Sequence, residues 1–261
     1  MHTKLPSDVQ RAIECAEEAE PAGLGKRVLA RIRENLAVSE EKRIPMCQDT
    51  GMLLMFVSLG EDIFINGSLN NILEEAAAAA YRDGYFRKST VTDPLKERIN
   101  SGDNLPVLIH YDYHPGKDLK IGILAKGFGS ENCSRTYMLN PTQGQDAVIE
   151  AVTETIQLAG GKPCPPTVVG IGIGGTLDIA ARLSKQALLR SLGDSNPDPY
   201  YAALEAEILK RINSLGIGPG GLGGGTTSLG VLIETAPTHI AGLPLAVTVN
   251  CWADRKGEVV L

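Results

Sequence analysis

The sequence predicts a mixed α/β fold: a single domain with helices packed on a β-sheet, and not a Rossmann fold. Three observations carry this. Several segments place apolar residues at helical spacing, while others are short apolar runs bounded by turn formers. The two kinds mix without a strict strand–helix–strand rhythm. There is no internal repeat or low-complexity linker, and the glycine-rich stretch 216–225 is too short to mark a boundary, so residues 1–261 are read as one domain.

The elements follow in order. Ser7-x-x-Gln10 reads as a capping box opening a helix with Val9, Ile13 and Ala16 on one face. A second helix covers about residues 24–38, through Val28, Leu29, Ile32 and Leu36. After Pro45, the run 52–57 is continuously apolar and reads as a buried strand. Ser68 caps a helix containing Ile72, Leu73 and the alanine run 76–80. Strands at 107–111 and 119–124, joined by Pro115-Gly116-Lys117-Asp118, are expected to pair as neighbours. Thr142-x-x-Gln145 caps a helix burying Val148, Ile149, Val152 and Ile156. A strand at 167–173 and a helix at 176–192 come next. Asp198-Pro199 opens a further helix that Gly216 stops, and strands at 229–234 and 243–250 follow.

Composition narrows the function. At 261 residues the chain has ample length for a core, and 43% hydrophobic with 21% charged residues is ordinary for a globular protein. A net charge of −6 without any basic block excludes nucleic acid as a general partner. The clusters Glu40-Glu41-Lys42-Arg43 and Asp254-Arg255-Lys256 mix signs and read as solvated faces. No run approaches the roughly 20 apolar residues that span a bilayer, so no membrane is implied. Met1 to Pro6 lack an apolar signal core, and five cysteines argue against a disulfide framework. A cytoplasmic location is expected.

The cysteines are the most informative residues. Cys47 lies in Met46-Cys47-Gln48-Asp49-Thr50-Gly51, Cys164 among Pro163, Pro165 and Pro166, and Cys251 at the end of an apolar run before Trp252. Each setting holds a thiolate at a loop. Their long separations exclude a zinc ribbon or ferredoxin pattern and fit a cluster assembled after folding. Cys133, in the glycine-rich loop 126–134, is either a bystander or an accessory group, and Cys15 reads as core. Gly170-x-Gly172-x-Gly174-Gly175-Thr176 follows a strand and precedes a helix, which suits either a small anion or tight packing. The stretch 218–227 lacks the Lys-Ser/Thr of a P-loop. Arg87 could clamp a carboxylate, and His239 lies just before the last strand.

These motifs resemble the α subunit, equivalent to the N-terminal domain, of the class I iron–sulfur fumarate hydratases and L-tartrate dehydratases. The resemblance covers nearly the whole chain. It rests on Cys-Gln-Asp-Thr-Gly at 47–51, Lys-Gly-x-Gly-Ser-Glu-Asn at 126–132, Gly-Gly-Lys-Pro-Cys-Pro-Pro at 160–166, Gly-Ile-Gly-Gly-Thr at 172–176 and Val-Asn-Cys-Trp-Ala at 249–253. It implies a [4Fe–4S] cluster on Cys47, Cys164 and Cys251, with one iron left open as a Lewis acid. It implies that Gln48, Asp49, Arg87, Gly127 and His239 bind or orient a dicarboxylate, with Asp49 and His239 in catalytic roles. It also implies a β subunit that completes the site, in an α2β2 assembly. The expected activity is reversible hydration of fumarate to malate, with L-tartrate dehydration as the alternative. A non-catalytic iron–sulfur or thiol redox sensor and a nucleotide-binding oxidoreductase using 170–176 are the competing classes.

Overall fold

A computed structural model describes residues 1–261. The mixed α/β expectation holds, with the strands divided between two four-stranded sheets. The chain forms two compact units: Met1–Leu5, Val38–Phe128 and Arg255–Leu261 make the first, Pro6–Ala37 and Gly129–Asp254 the second. Helix α1 spans Ser7–Ala19, and α2 spans Leu24–Lys42. No helix is long and apolar enough to cross a membrane.

The first unit contains β1 (Met52–Gly60), α3 (Leu69–Asp83), β2 (Leu108–His114), β3 (Leu119–Lys126) and β8 (Lys256–Val260), in sheet order β2-β1-β3-β8. The expected pairing of the strands flanking the Pro115–Asp118 turn does not occur. β1 lies between them, parallel to β2 and antiparallel to β3. The reason is burial: Leu53 to Val57 are all buried, and such a strand satisfies its backbone only with a partner on each edge. Leu73, Ala77 and Tyr81, spaced by four on α3, pack into a core with Leu53, Met55, Val57, Ile121 and Ala125. Ile72, on the other face, is exposed.

The second unit contains β4 (Arg135–Leu139), α5 (Gly144–Ala159), β5 (Thr167–Gly175), α6 (Leu177–Ala187), α7 (Pro199–Ser214), β6 (Ser228–Thr238) and β7 (Leu243–Asn250). The sheet order is β4-β7-β5-β6. On β5, Val169, Ile171 and Ile173 share one face and join a core with Val152 and Ile156 of α5 and Leu204, Ile208 and Ile212 of α7. The alternate positions are Gly170 and Gly172. A Cβ on either would lie 2.0 Å from an α6 carbonyl oxygen, that of Ser184 or Ala180. Helix α6 therefore sits directly on the strand backbone, and the glycine spacing is explained by tight packing.

Several local expectations are corrected. Ser7 lies inside α1; Pro6 is the N-cap and no side-chain cap bond forms. The capping box before α5 belongs to Asn140 and Gln143, two residues earlier than expected, because Pro141 starts a short 3-10 turn. Helix α6 stops at Ala187, short of the expected 192. Cys15 is exposed, since it lies well off the Val9, Ile13 and Ala16 face. The strands β4 and β8 and the short helix α4 (Phe128–Glu131) were not anticipated from the sequence. Most consequential, Asp254, Arg255 and Lys256 are buried, not solvated.

Candidate functional site

In the first unit the polar groups gather on the Cys47–Gly51 turn. Asp49 Oδ1 accepts the Gly51 N–H (2.9 Å) and Oδ2 accepts the Phe128 N–H (2.8 Å), so the carboxylate closes its own turn and reaches the end of β3. Thr50 donates its hydroxyl to the Arg87 carbonyl at 2.6 Å, which fastens the exposed Arg87 segment to the turn. Buried Tyr81 shares its hydroxyl proton between the Thr50 and Gly51 carbonyls, at 3.0 and 2.9 Å. Burial pushes its pKa up to about 12, so it remains a donor.

Asn104 joins the same turn to the Arg87 segment. Its Nδ2 donates to the Gly51 carbonyl (3.0 Å), and its Oδ1 accepts from the Ser89 N–H (2.7 Å) and the Thr90 N–H (3.1 Å). Arg255 Nη1 donates to the Asp49 carbonyl at 2.6 Å. Gly127 is buried against this cluster: a Cβ there would lie 3.1 Å from Asp49 Oδ2 and 3.3 Å from Arg255 Nη2. Cys47 is partly exposed and Gln48 exposed on the turn. The first unit thus brings Cys47, Gln48, Asp49, Arg87 and Gly127 to one place.

In the second unit Cys164 and Cys251 are brought together. The Trp252 N–H points at the Cys164 carbonyl (3.4 Å), tying the loop before β5 to the loop after β7. The Cys164 turn closes on itself through Cys164 N–H to Gly161 O (3.2 Å). The glycine stretch packs beside it: Gly220 N–H donates to Pro165 O at 2.7 Å, and a Cβ on Gly161 would lie 3.2 Å from Gly221 Cα. Buried Glu20 anchors that stretch, accepting from Gly225 N–H (2.8 Å), Thr226 N–H (3.0 Å) and the Thr226 hydroxyl (2.7 Å). The stretch is a fastening for the Cys164 loop.

Cys133 belongs to the hydrophobic core, with its Sγ 3.6 Å from the Gly129 carbonyl. His239 is exposed on the turn between β6 and β7 and lines a cavity of about 320 Å³ with Gln145, Tyr200 and Tyr201. Its Nδ1 accepts the Ala241 N–H (3.1 Å), so the neutral ring carries its proton on Nε2. The sheet register puts this turn and the two cysteines at opposite ends. Val168, near Cys164, pairs with Asn250, whereas Gly175 pairs with Thr238. The eight residues of β7 therefore separate His239 from Cys251, a span of roughly 25 Å.

All five cysteines are free thiols, and Cys47, Cys164 and Cys251 are exposed or partly exposed on loops. Such soft donors suit an iron–sulfur cluster. No group of three or more His, Cys, Asp or Glu side chains is gathered closely enough to hold a single metal ion.

A rigid turn that brings an acid, an amide and a loop thiol together with the arginine segment fastened to it is the construction of an enzyme component. The chain belongs to the fumarate hydratase (Fumerase) family, whose model matches residues 1–260. It is 43% identical over 257 residues to the putative L(+)-tartrate dehydratase subunit alpha of Methanocaldococcus jannaschii, covering 97% of this chain and 90% of that protein. It is 33% identical over 262 residues to the L(+)-tartrate dehydratase subunit alpha of Escherichia coli K12, covering 99% of this chain and 86% of that one.

Tyr81, Asn104, Arg255 and Glu20 were not among the residues expected at the site. Tyr81 follows the alanine run 76–80 with no local signal of its own, and Arg255 read as part of a solvated charge cluster. Nothing in the local sequence singles out Asn104 or Glu20, whose partners lie far away in the chain.

Proposed function

We propose that the chain is the α subunit of an iron–sulfur hydro-lyase that reversibly hydrates fumarate to malate, with residues 1–261 acting as one α-subunit domain. The observation that carries this is the Cys47–Gly51 turn, which holds Asp49 against Gly127 and fastens the Arg87 segment through the Arg87 carbonyl, in a chain of the fumarate hydratase family. Cys47, Cys164 and Cys251 are the proposed holders of a [4Fe–4S] cluster. When bound, the cluster supplies Lewis-acid chemistry at the substrate hydroxyl through an iron without a protein ligand.

The chain's own residues meet the other demand. The C–H bond to be broken lies α to a carboxylate, so a dianionic aci-carboxylate must be stabilised. Arg87 offers two parallel donors to that carboxylate, and the Gln48 amide a further one. Asp49, held at both oxygens by backbone N–H groups, handles or orients the substrate proton. Gly127 leaves room for substrate beside it. His239 acts as an Nε2–H donor. Its place at the far end of the sheet from Cys164 and Cys251 favours an α2β2 assembly in which it serves a second copy's site. A β subunit completes the cationic pocket, and the free thiols suit a cytoplasmic location.

The second reading, L-tartrate dehydration, is favoured by the names of the relatives at 33 to 43% identity. Anaerobic purification with the β subunit, iron and sulfide analysis, and steady-state rates on fumarate and L-tartrate test both. Four irons per α chain with a faster fumarate rate supports the first reading; a faster tartrate rate transfers the assignment. Iron-free, inactive protein after reconstitution rejects both.

A further inference from the structure

Arg255 is the largest fully buried side chain, at 1% exposure. A buried guanidinium is costly unless charge and hydrogen bonds compensate it. The hydrogen-bond partners of Arg255 are both neutral: the Asp49 carbonyl (2.6 Å) and His2 Nδ1 (3.4 Å), while its Nε has none. Burial, with Arg255 itself next in importance, lowers the His2 pKa to about 3, so that ring adds no charge at neutral pH. The other guanidinium nitrogen faces Gly127, at 3.3 Å from where a Cβ would stand, with Asp49 Oδ2 at 3.1 Å from the same point. A fixed positive charge therefore stands behind the Asp49–Gly127 pair without a carboxylate hydrogen-bonded to it.

We propose that Arg255 is a positioning residue that also sets charge selectivity: it fixes Asp49 against Gly127 and biases the site toward doubly charged over singly charged carboxylates. This rests on the proposed reading that Asp49 and Gly127 face a dicarboxylate. At an effective dielectric near 20, a unit charge within about 8 Å changes the affinity for one extra negative charge by about tenfold or more. A purely structural arginine would affect mono- and dicarboxylates alike.

The test uses the complete cluster-loaded α/β enzyme, with succinate and butyrate as competitive probes and iron content and melting temperature as controls. Arg255→Met is expected to weaken succinate about tenfold and butyrate less than threefold. Arg255→Lys, which keeps the charge and loses the fork, is expected to keep the succinate preference within about threefold while kcat falls as Asp49 loosens. Equal weakening of both probes in Arg255→Met, or no weakening, overturns the proposal. If Arg255→Met does not fold, Arg255→Lys decides: preserved preference supports the proposal, and collapsed preference despite the retained charge overturns it. A wild-type complex that binds neither probe and turns over neither fumarate nor tartrate overturns the functional reading, and this proposal with it.

Discussion

The Cys47 turn in the first unit and the Cys164 and Cys251 loops in the second are rigid for different reasons. The first is tied by side chains remote in sequence: Tyr81, Asn104 and Arg255 all end on backbone carbonyls of residues 49–51. The second is held mainly by backbone meeting backbone, at Trp252 with Cys164 and Gly220 with Pro165, with Glu20 as the side-chain anchor. Side-chain clamps fix a turn in direct contact with charged and titratable groups. Glycine-lined contact fixes a loop by shape alone, with little room for substitution.

The comparison can be broken most severely at the glycine face of β5. Gly172→Ala drives a methyl to 2.0 Å from the Ala180 carbonyl oxygen. It should cost about 3 kcal/mol or more, read as a lowered melting temperature with loss of second-unit exchange protection. Asn104→Ala tests the first unit. It leaves the Ser89 and Thr90 N–H groups without their side-chain acceptor and the Gly51 carbonyl with Tyr81 as its remaining side-chain donor, at a cost of about 2–3 kcal/mol. Amide exchange should accelerate at residues 50, 51, 89 and 90 but not around Cys164. Glu20→Gln is the converse, worth about 1–2 kcal/mol and confined to residues 218–226, because the shape survives while the charge and one of two accepting oxygens are lost. Equal exchange effects in both units from either variant would remove the distinction.

The smallest effect separates the units by pH. The folded-state pKa of His2, about 3, lies below its usual 6.5, so the unfolded chain binds more protons between these values. Stability is full above pH 6.5 and falls as pH drops toward 3, by less than about 1.4 kcal/mol per pH unit. His2→Leu should flatten this slope in denaturation midpoints between pH 6.5 and 5.5. An unchanged slope would assign the acid sensitivity to other groups.

How much of this was legible in the sequence follows from the same contrast. Cys164 among prolines, the glycines before α6 and the Asp49 turn advertise themselves because their causes are local: fixed φ, a missing Cβ, a short side chain closing its own turn. Six of the seven α-helices were found by stripes, caps or stop signals, the four-residue α4 being missed, and all six expected strands formed. The central position of β1 was missed because a turn predicts adjacency only when no more apolar strand competes for the middle. The charged run 254–256 was misread because sign mixing is local information, whereas Asp254 accepts from Asn250, the Arg255 carbonyl accepts the Ala125 N–H and Lys256 opens β8 against β3. Asn104 has an ordinary loop setting, and only folding reveals that it joins two segments.

The contact between Arg255 and Asp49 also sets a clock. The two residues are 206 positions apart. At ordinary rates of synthesis, Asp49 waits about 10–40 s for its partner to emerge. During that interval Cys164 and Cys251 are also made, while the Cys47 turn still lacks one of its three clamps. A nascent chain stalled anywhere before residue 255 therefore carries an unfinished Cys47 turn, however well its other parts have folded.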